Sequence, residues 1–448
     1  MDFLKVISTA KAKDLISEVF KDYKIGTESV NILSSVGRVL SEDIHAIYDV
    51  PNFNRSTVDG YAVKSKETFG CSDSLPSLLE YKGAVQMGET ASGVVNTSET
   101  IYVPTGGMIP DGADSVVMIE YTDKLDESTV AINKAVRPGE NVTYKGDDIK
   151  EGSVALKKGR KITAQDIGVI ASLSISSVNV YKKPRVTIIS TGDEIVDITE
   201  KEESCKVKDI NGYVLYALTE KSSCEVVNKL IINDDFNKLK TTIEEAIKTS
   251  DLVLLSGGSS VGTKDFTYDI INSLNGRGVF INGLAIKPGK PTIVGEAEGK
   301  PIFGLPGHPV SAITVYKILI EHLICEMLSI EDDKLSVDAI LETNLHSSPG
   351  KETYQLVDLI EKENEKIAVP IYGASGLITT LAKAKGYIVI SENTEGIYKG
   401  DKVKVYLNWK SEKSKEKTLF IEWNVFHSME ESKERFFLNL VIRYSGGY

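Results

Sequence analysis

The spacing of hydrophobic positions changes several times along the chain. Residues 9 to 23, TAKAKDLISEVFKDY, carry apolar side chains at helical spacing and predict an amphipathic helix. Residues 45 to 147 hold short β-rich runs (SETIYVPT, SVVMIEYT, STVAINKAV) broken by Gly, Pro, Asp and Asn. That pattern predicts a module of short strands. From about residue 181 apolar runs alternate with helical stretches. RVTIIS, EVVNKLII, DLVLLS, VFINGLAI, PTIVGEA and PIFGLPG read as strands. GYVLYALTEKS, FNKLKTTIEEAIKT, YDIINSLN and PVSAITVYKILIEHLICEML read as helices. The alternation predicts a parallel α/β sheet with short crossovers. Residues 335 to 409 return to strand-like alternation and predict a small β domain, and no periodic repeat is visible.

The 448 residues suggest about three domains at roughly 150 residues each. Acidic residues outnumber basic ones, 64 to 52, giving a formal net charge of -12. Such a chain does not attract polyphosphates non-specifically, which argues against a protein that coats nucleic acid. No apolar run approaches the ~18 residues needed to span a bilayer, and the N-terminus lacks an apolar signal core. Cys71, Cys205, Cys224 and Cys325 are scattered, without a CxxC pair. This spacing fits reduced thiols in a cytoplasmic protein. Catalysis is therefore expected to rest on carboxylates, lysines, hydroxyls and backbone amides.

In parallel sheets ligands sit at the carboxyl ends of the strands. The loops expected there are TGDE (191–194), NDD (233–235), SGGSSVG (256–262), KPGKP (287–291) and LPGHP (305–309). Thr191, Asp193 and Glu194 crowd one strand end. Two carboxylates there repel unless a cation or donor is bound, although a helix N-cap is the competing reading. Asp234 and Asp235 follow a second strand, and one of them suits the cap of the next helix. Gly257 and Gly258 let backbone amides approach a phosphate, with Ser259 beside them, and Asp265 suits a cap or a metal. The loop is neither a Walker loop nor GxGxxG. Lys287 and Lys290 bracket a Pro-Gly turn and supply local positive charge. Pro306 and Pro309 flank a turn running into a helix, whose first amides could face a ligand. In the β module, Asp59 sits on an Asp-Gly turn, which also suits a solvated hairpin. Thr105 precedes Gly106 and Gly107, a hydroxyl beside free amides that could form an anion nest, or an ordinary loop. Together these loops describe a site for a phosphorylated ligand and a divalent cation.

The ordered set RSTVDGYAV, PTGGMIPDGADSVV, STGDEIV, SGGSSVG, AIKPGKP and GLPGHPVSA resembles the molybdopterin molybdenumtransferases, the MoeA family, to which the gephyrin E-domain is similar. The resemblance runs over about residues 5 to 408. It implies a multidomain α/β plus β fold with a central MogA-like, molybdopterin-binding parallel α/β domain. The divisions it implies are a discontinuous first domain (1–44 and 148–180), an inserted β-rich domain (45–147), the α/β domain (181–327), a C-terminal β domain (328–409) and an atypical tail (410–448). It implies a homodimer that inserts molybdate into adenylylated molybdopterin and releases AMP, with Mg²⁺ as cofactor. Partners implied are the molybdopterin adenylyltransferase and molybdoenzyme chaperones, with no nucleic acid and no membrane.

The resemblance assigns catalytic roles to Asp59, Thr105, Glu194 and Asp265. Metal contacts fall to Glu194, Asp234, Asp235 and Asp265. Ligand-facing positions are Thr191, Gly257, Gly258, Ser259, Lys287, Lys290, Pro306, Pro309 and Ser375, and Asp148 matches a further acidic position. Three positions depart from the family pattern: Thr143 and Leu356 stand where arginine is usual, and Lys351 where a bidentate arginine is usual. Fewer fixed cations weaken oxyanion holding, so a tungstate preference is one alternative. Adenylyltransferase activity and a non-catalytic pterin-binding scaffold are the others.

Overall fold

A computed structural model describes residues 5–201, 205–257, 266–331, 335–373, 376 and 378–407. Gly258, Ser259, Asp265, Ser375 and the tail 410–448 therefore lie outside the described residues.

The N-terminal helix spans Thr9–Phe20, and the Ser8 side chain accepts from the Lys11 amide to cap it. Its buried residues Ala12, Ile16 and Phe20 share one core with Leu254, Phe303, Leu319 and Leu323 of the α/β domain. Sequence order groups this helix with the first domain, whereas its apolar stripe packs far along the chain.

The β module is a six-stranded sheet. Its strands run in the order Ser115–Met118, Gly60–Val63, Glu99–Val103, Ser77–Ala84, Thr129–Ile132 and Thr122–Lys124. Segments on either side of the module pair with each other. Thr27–Asn31 runs antiparallel to Ser177–Tyr181, and Ile44–His45 antiparallel to Val154–Leu156.

A helix over Ala164–Ser172 follows, closed by a capping box. The Thr163 hydroxyl accepts from the Asp166 amide, and the Asp166 carboxylate accepts from the Thr163 amide. Asp166 is only 2% exposed and also meets Arg160 at 2.8 Å. Burial alone would raise the Asp166 carboxyl, but Arg160 and the Thr163 donors outweigh it and hold it below the ordinary carboxylate range. Asp166→Ala should lower stability by about 2 kcal/mol at neutral pH, read by chemical denaturation. A group with a depressed folded pKa stabilises fully above its unfolded value and loses that contribution as pH falls through the folded one. The gap between wild type and variant should therefore shrink below the ordinary aspartate pKa. An equal gap at acidic and neutral pH would refute this origin.

The α/β domain holds β1 (Arg185–Thr191), β2 (Glu225–Ile232), β3 (Leu252–Ser256), β4 (Gly278–Asn282), β5 (Ile293–Ala297) and β6 (Lys300–Leu305). Between them lie α1 (Ile210–Lys221), α2 (Phe236–Thr249) and α3 (Thr267–Ser273). A long helix follows over 309–327, with a π-helical stretch at Tyr316–Ile320. The sheet order is β2-β1-β3-β6-β5-β4. β2, β1, β3 and β6 are parallel, whereas β5 runs antiparallel to both of its neighbours, β6 and β4. The wholly parallel sheet expected from the alternation is thus corrected at one edge. A parallel connection needs a dozen or more residues, whereas β5 reaches β6 through Glu298 and Gly299 alone, both at positive φ.

The C-terminal β domain closes on itself. The strand Glu352–Lys362 pairs with both Glu365–Pro370 and Gly386–Ile390, and Gly386–Ile390 also pairs with Lys402–Leu407. A short strand from the α/β domain, Ile286–Lys287, joins this barrel in parallel with Glu352 and Thr353. The loop that carries Lys287 is thereby stitched to the C-terminal domain. No described helix is long and apolar enough to cross a membrane.

Candidate functional site

β1 is covered on both faces, so its run VTIIST is buried to the last residue. At its end Ser190 donates to Asp209 Oδ1 at 2.8 Å. Asp209, 2% exposed, also caps α1 by accepting from the Gly212 amide at 2.8 Å. Lys229, from the middle of β2, offsets this buried charge at 3.3 Å and reaches Asp197 at 3.5 Å. It also lies 4.1 Å above the Tyr213 ring. The Asp197 carboxyl is lowered to about 2 by hydrogen bonds from the Thr199 amide and hydroxyl, with Tyr213 and Lys229 adding to them.

Thr191, 4% exposed, donates its hydroxyl to Asp234 Oδ1 at 2.8 Å. The Asp234 amide in turn donates to Asp193 Oδ1 at 3.2 Å. Thus TGDE and NDD, forty-odd positions apart, form one cluster at adjacent strand ends. TGDE does not cap a helix. The chain instead forms a short parallel pair, Ile195–Val196 with Val207–Lys208, before α1 begins. Glu194 is exposed, and its carbonyl accepts from the Val207 amide at 2.8 Å. Asp235 caps α2, accepting from the Lys238 amide at 3.0 Å.

No group of three or more His, Cys, Asp or Glu poised for a metal occurs among the described residues. Glu194, Asp234 and Asp235 therefore do not form a protein-only cage, and the fourth expected ligand, Asp265, falls outside the described chain. The chemistry still fits magnesium. That ion is usually held by one or two carboxylates, with substrate phosphates and water completing its shell.

Gly257 has φ +99°, and a Cβ there would lie 2.2 Å from the Thr191 carbonyl oxygen. Its lack of a side chain lets β3 end against β1, rather than simply leaving room for a ligand. Asn211, 9% exposed, ties two further loops together. Its Nδ2 donates to Ser256 Oγ and to the Gly307 carbonyl, both at 2.8 Å. Because a carbonyl only accepts, Gly307 fixes the orientation of the amide. Asn211 Oδ1 is left buried without a hydrogen-bond partner among the described residues. Pro306 and Pro309 are buried. Pro309 opens the long helix after His308, which makes no side-chain cap bond.

Lys287 and Lys290 are exposed beside Gly289, where a Cβ would lie 2.7 Å from Ile286 and 2.9 Å from Val315. In the parallel register Ile286–Glu352, Lys287 pairs with Thr353, and Lys351 immediately precedes that barrel strand. Leu356 lies opposite Tyr387 in the barrel.

In the β module, Asp59 Oδ1 accepts from the Thr105 amide at 2.8 Å. The Gly106 amide donates to the Ser56 carbonyl and the Gly107 amide to the Pro104 carbonyl, both at 2.8 Å. This corrects the anion-nest reading of 105–107: the amides are engaged within the module, and the exposed Thr105 hydroxyl remains. Asp148 is exposed, and its amide donates to the Val50 carbonyl at 3.0 Å. Thr143 pairs in register with Arg55, so a guanidinium stands across from the position where arginine was expected. Sequence reasoning missed Asp209, Asn211, Lys229 and Arg55. Asp209 before α1 carried a cap signal, and Lys229 stood out as a charge within an apolar strand.

The chain is similar to known proteins along most of its length. Residues 7–174 match the model of the MoeA N-terminal region (domain I and II), and 187–325 match a probable molybdopterin binding domain. Residues 338–408 match the MoeA C-terminal region (domain IV). A molybdopterin molybdenumtransferase of Haemophilus influenzae is 31% identical over 384 residues, 85% of this chain and 93% of that protein. One from Staphylococcus epidermidis is 29% identical over 398 residues, covering 88% and 94%. A crystal structure of a molybdopterin biosynthesis MoeA protein from Pyrococcus horikoshii shares 30% identity at a TM-score of 0.75, covering 90% of this chain and all of that one. With matches spread over nearly the whole described fold, the chain belongs to the MoeA family of molybdopterin molybdenumtransferases.

Proposed function

We propose that the chain inserts molybdate into adenylylated molybdopterin in molybdenum cofactor biosynthesis, releasing AMP. The observation that carries this reading is the joining of Thr191 and Asp234 at adjacent strand ends; Lys287 follows the strand at the other edge of the same sheet and pairs with the barrel strand that Lys351 precedes. The carboxylate side suits a cation, and the lysine side suits anions.

In this reading the pterin diphosphate lies along the strand-end loops. Asp234 and Glu194 would hold Mg²⁺; when bound, such an ion lowers the cost of charge developing on phosphate oxygens. Thr191 fixes the rotamer of Asp234 through its hydrogen bond. Lys287 and Lys290 hold the phosphate or molybdate oxygens, with Lys351 in place of a bidentate arginine. The two dithiolene sulfurs displace oxygen from molybdate, which leaves as water; water adds to phosphorus as the phosphoanhydride P–O bond breaks, so AMP departs and the pterin keeps its own phosphate.

Asp59 and Thr105 act from the β module. Their hydrogen bond lies within that module, and in the homodimer that the family resemblance implies, the β module of one subunit faces the strand ends of the other. The four dispersed thiols fit a cytoplasmic setting.

Asp59→Ala and Glu194→Ala should each cut molybdate-dependent AMP release by about a hundredfold. The assay follows AMP from adenylylated molybdopterin with and without molybdate. Full turnover by both variants refutes the assignment. Tight pterin binding by the wild type without molybdate-dependent AMP release favours the scaffold reading.

A further inference from the structure

The opposite end of the α/β sheet carries a second charged feature. A cleft of about 590 Å³ lies where the N-terminal segments meet the first residues of the strands. Its cations are Lys24, Arg38, Lys182, Lys183 and Arg185, and its carboxylates are Glu28, Glu225 and Asp251. That leaves a net positive lining, five against three, on a chain of net charge -12. Glu28 pairs with Arg38. Asp251 accepts from the Tyr23 hydroxyl and the Arg185 amide, both at 2.7 Å. Lys182 and Lys183 extend from the connection between the strand Ser177–Tyr181 and β1.

The backbone frame is cross-tied. The Lys182 amide donates to the Gly26 carbonyl at 2.8 Å, and the Glu225 amide to the Pro184 carbonyl at 2.9 Å. The Asp251 amide donates to the Arg185 carbonyl at 2.7 Å. A ligand would therefore order side chains without ordering loops, which lowers the entropic cost of binding. Arg185 begins β1 and Thr191 ends it. Seven residues of strand at about 3.3 Å each put the cleft about 20 Å from the candidate site.

We propose that this cleft binds an oligophosphate chain, either an inorganic one or the phosphate tail of a nucleotide. The volume and the number of cations exceed what one tetrahedral anion occupies, and linked phosphates satisfy several lysines at once. No aromatic side chain lines the cleft among the described residues, so a nucleobase gains no stacking face. The phosphates are the recognised element.

The test is calorimetric titration of the full-length protein with inorganic triphosphate at low ionic strength, where exposed charges are least screened. Saturable binding is expected, weakened roughly tenfold or more in Lys182→Glu/Lys183→Glu. Lys182→Ala/Lys183→Ala, the milder change, should give a smaller loss. Both lysines are exposed, so thermal unfolding should stay near wild type, and AMP release should be unchanged. Lys287→Ala/Lys290→Ala should keep the triphosphate affinity. ATP binding as tightly as triphosphate supports recognition of a nucleotide tail, and weaker ATP binding supports an inorganic chain. Absence of binding overturns the proposal. So does loss of affinity in the Lys287/Lys290 variant with retention in the Lys182/Lys183 variants. Equal affinity for orthophosphate or AMP, or tighter binding of a glutamate hexapeptide, also overturns it.

Discussion

Asp234→Asn should reduce molybdate-dependent AMP release by about a hundredfold or more, with little change in thermal stability. The substitution keeps the volume and an acceptor for the Thr191 hydroxyl, now 2.8 Å from Oδ1. It removes the charge at the point where β1 and β2 end together. If that charge holds a cation against the phosphates, raising the magnesium concentration should restore part of the rate. Asp235→Asn is the matched control. Asp235 caps α2 through the Lys238 amide, a role asparagine performs equally well, so its activity should stay within about threefold. Normal turnover by Asp234→Asn, or equal losses in the two variants, would remove Asp234 from the site.

Gly257→Ala should be the more damaging of two glycine changes at the sheet mouth. At φ +99° the added Cβ would sit 2.2 Å from the Thr191 carbonyl oxygen and 3.4 Å from its Cγ2, nearer than real Cβ atoms approach a carbonyl. The strained dihedral and the contact together should cost about 3 kcal/mol or more, or else push β3 away from β1. Displacing that end moves Thr191, and with it the hydrogen bond to Asp234, so activity should fall along with stability. Gly307→Ala tests specificity, because a Cβ there meets nothing within 4 Å among the described residues. Chemical denaturation and AMP release on both variants decide the matter. Wild-type stability in Gly257→Ala would show that the loop relaxes freely and that the contact is unimportant.

Much of the architecture follows from local patterns. The period-two runs became strands and the helical stretches became helices, because the alternation of apolar positions states which face of an element is buried. EVVNKLII and FNKLKTTIEEAIKT became β2 and α2, over Glu225–Ile232 and Phe236–Thr249. Loop chemistry was also local. A Pro-Gly turn, an aspartate before a helix and the Gly-Gly pair after a strand announce themselves by residue type. The family motifs then gave those loops an order that the isolated signals lacked.

Periodicity names a buried face but not its partner, and the partners were decided by the tertiary structure. The N-terminal helix packs into the α/β core through Ala12, Ile16 and Phe20, although the α/β strands begin some 165 residues beyond it. The strand at Ile286–Lys287 leaves its own domain to pair with the C-terminal barrel, at the start of the strand that Lys351 precedes. The two-residue link from β5 to β6 makes that edge antiparallel, because geometry leaves no room for a crossover. Hydrogen-bond saturation is a three-dimensional property as well. The amides of 105–107 look free in sequence and are engaged in the fold, whereas the buried Asn211 Oδ1 looks ordinary in sequence and lacks a partner among the described residues. The sequence thus determined which elements and loop chemistries this protein has. Long-range packing, which sets each polar group's neighbours, decided which of those loops could act together.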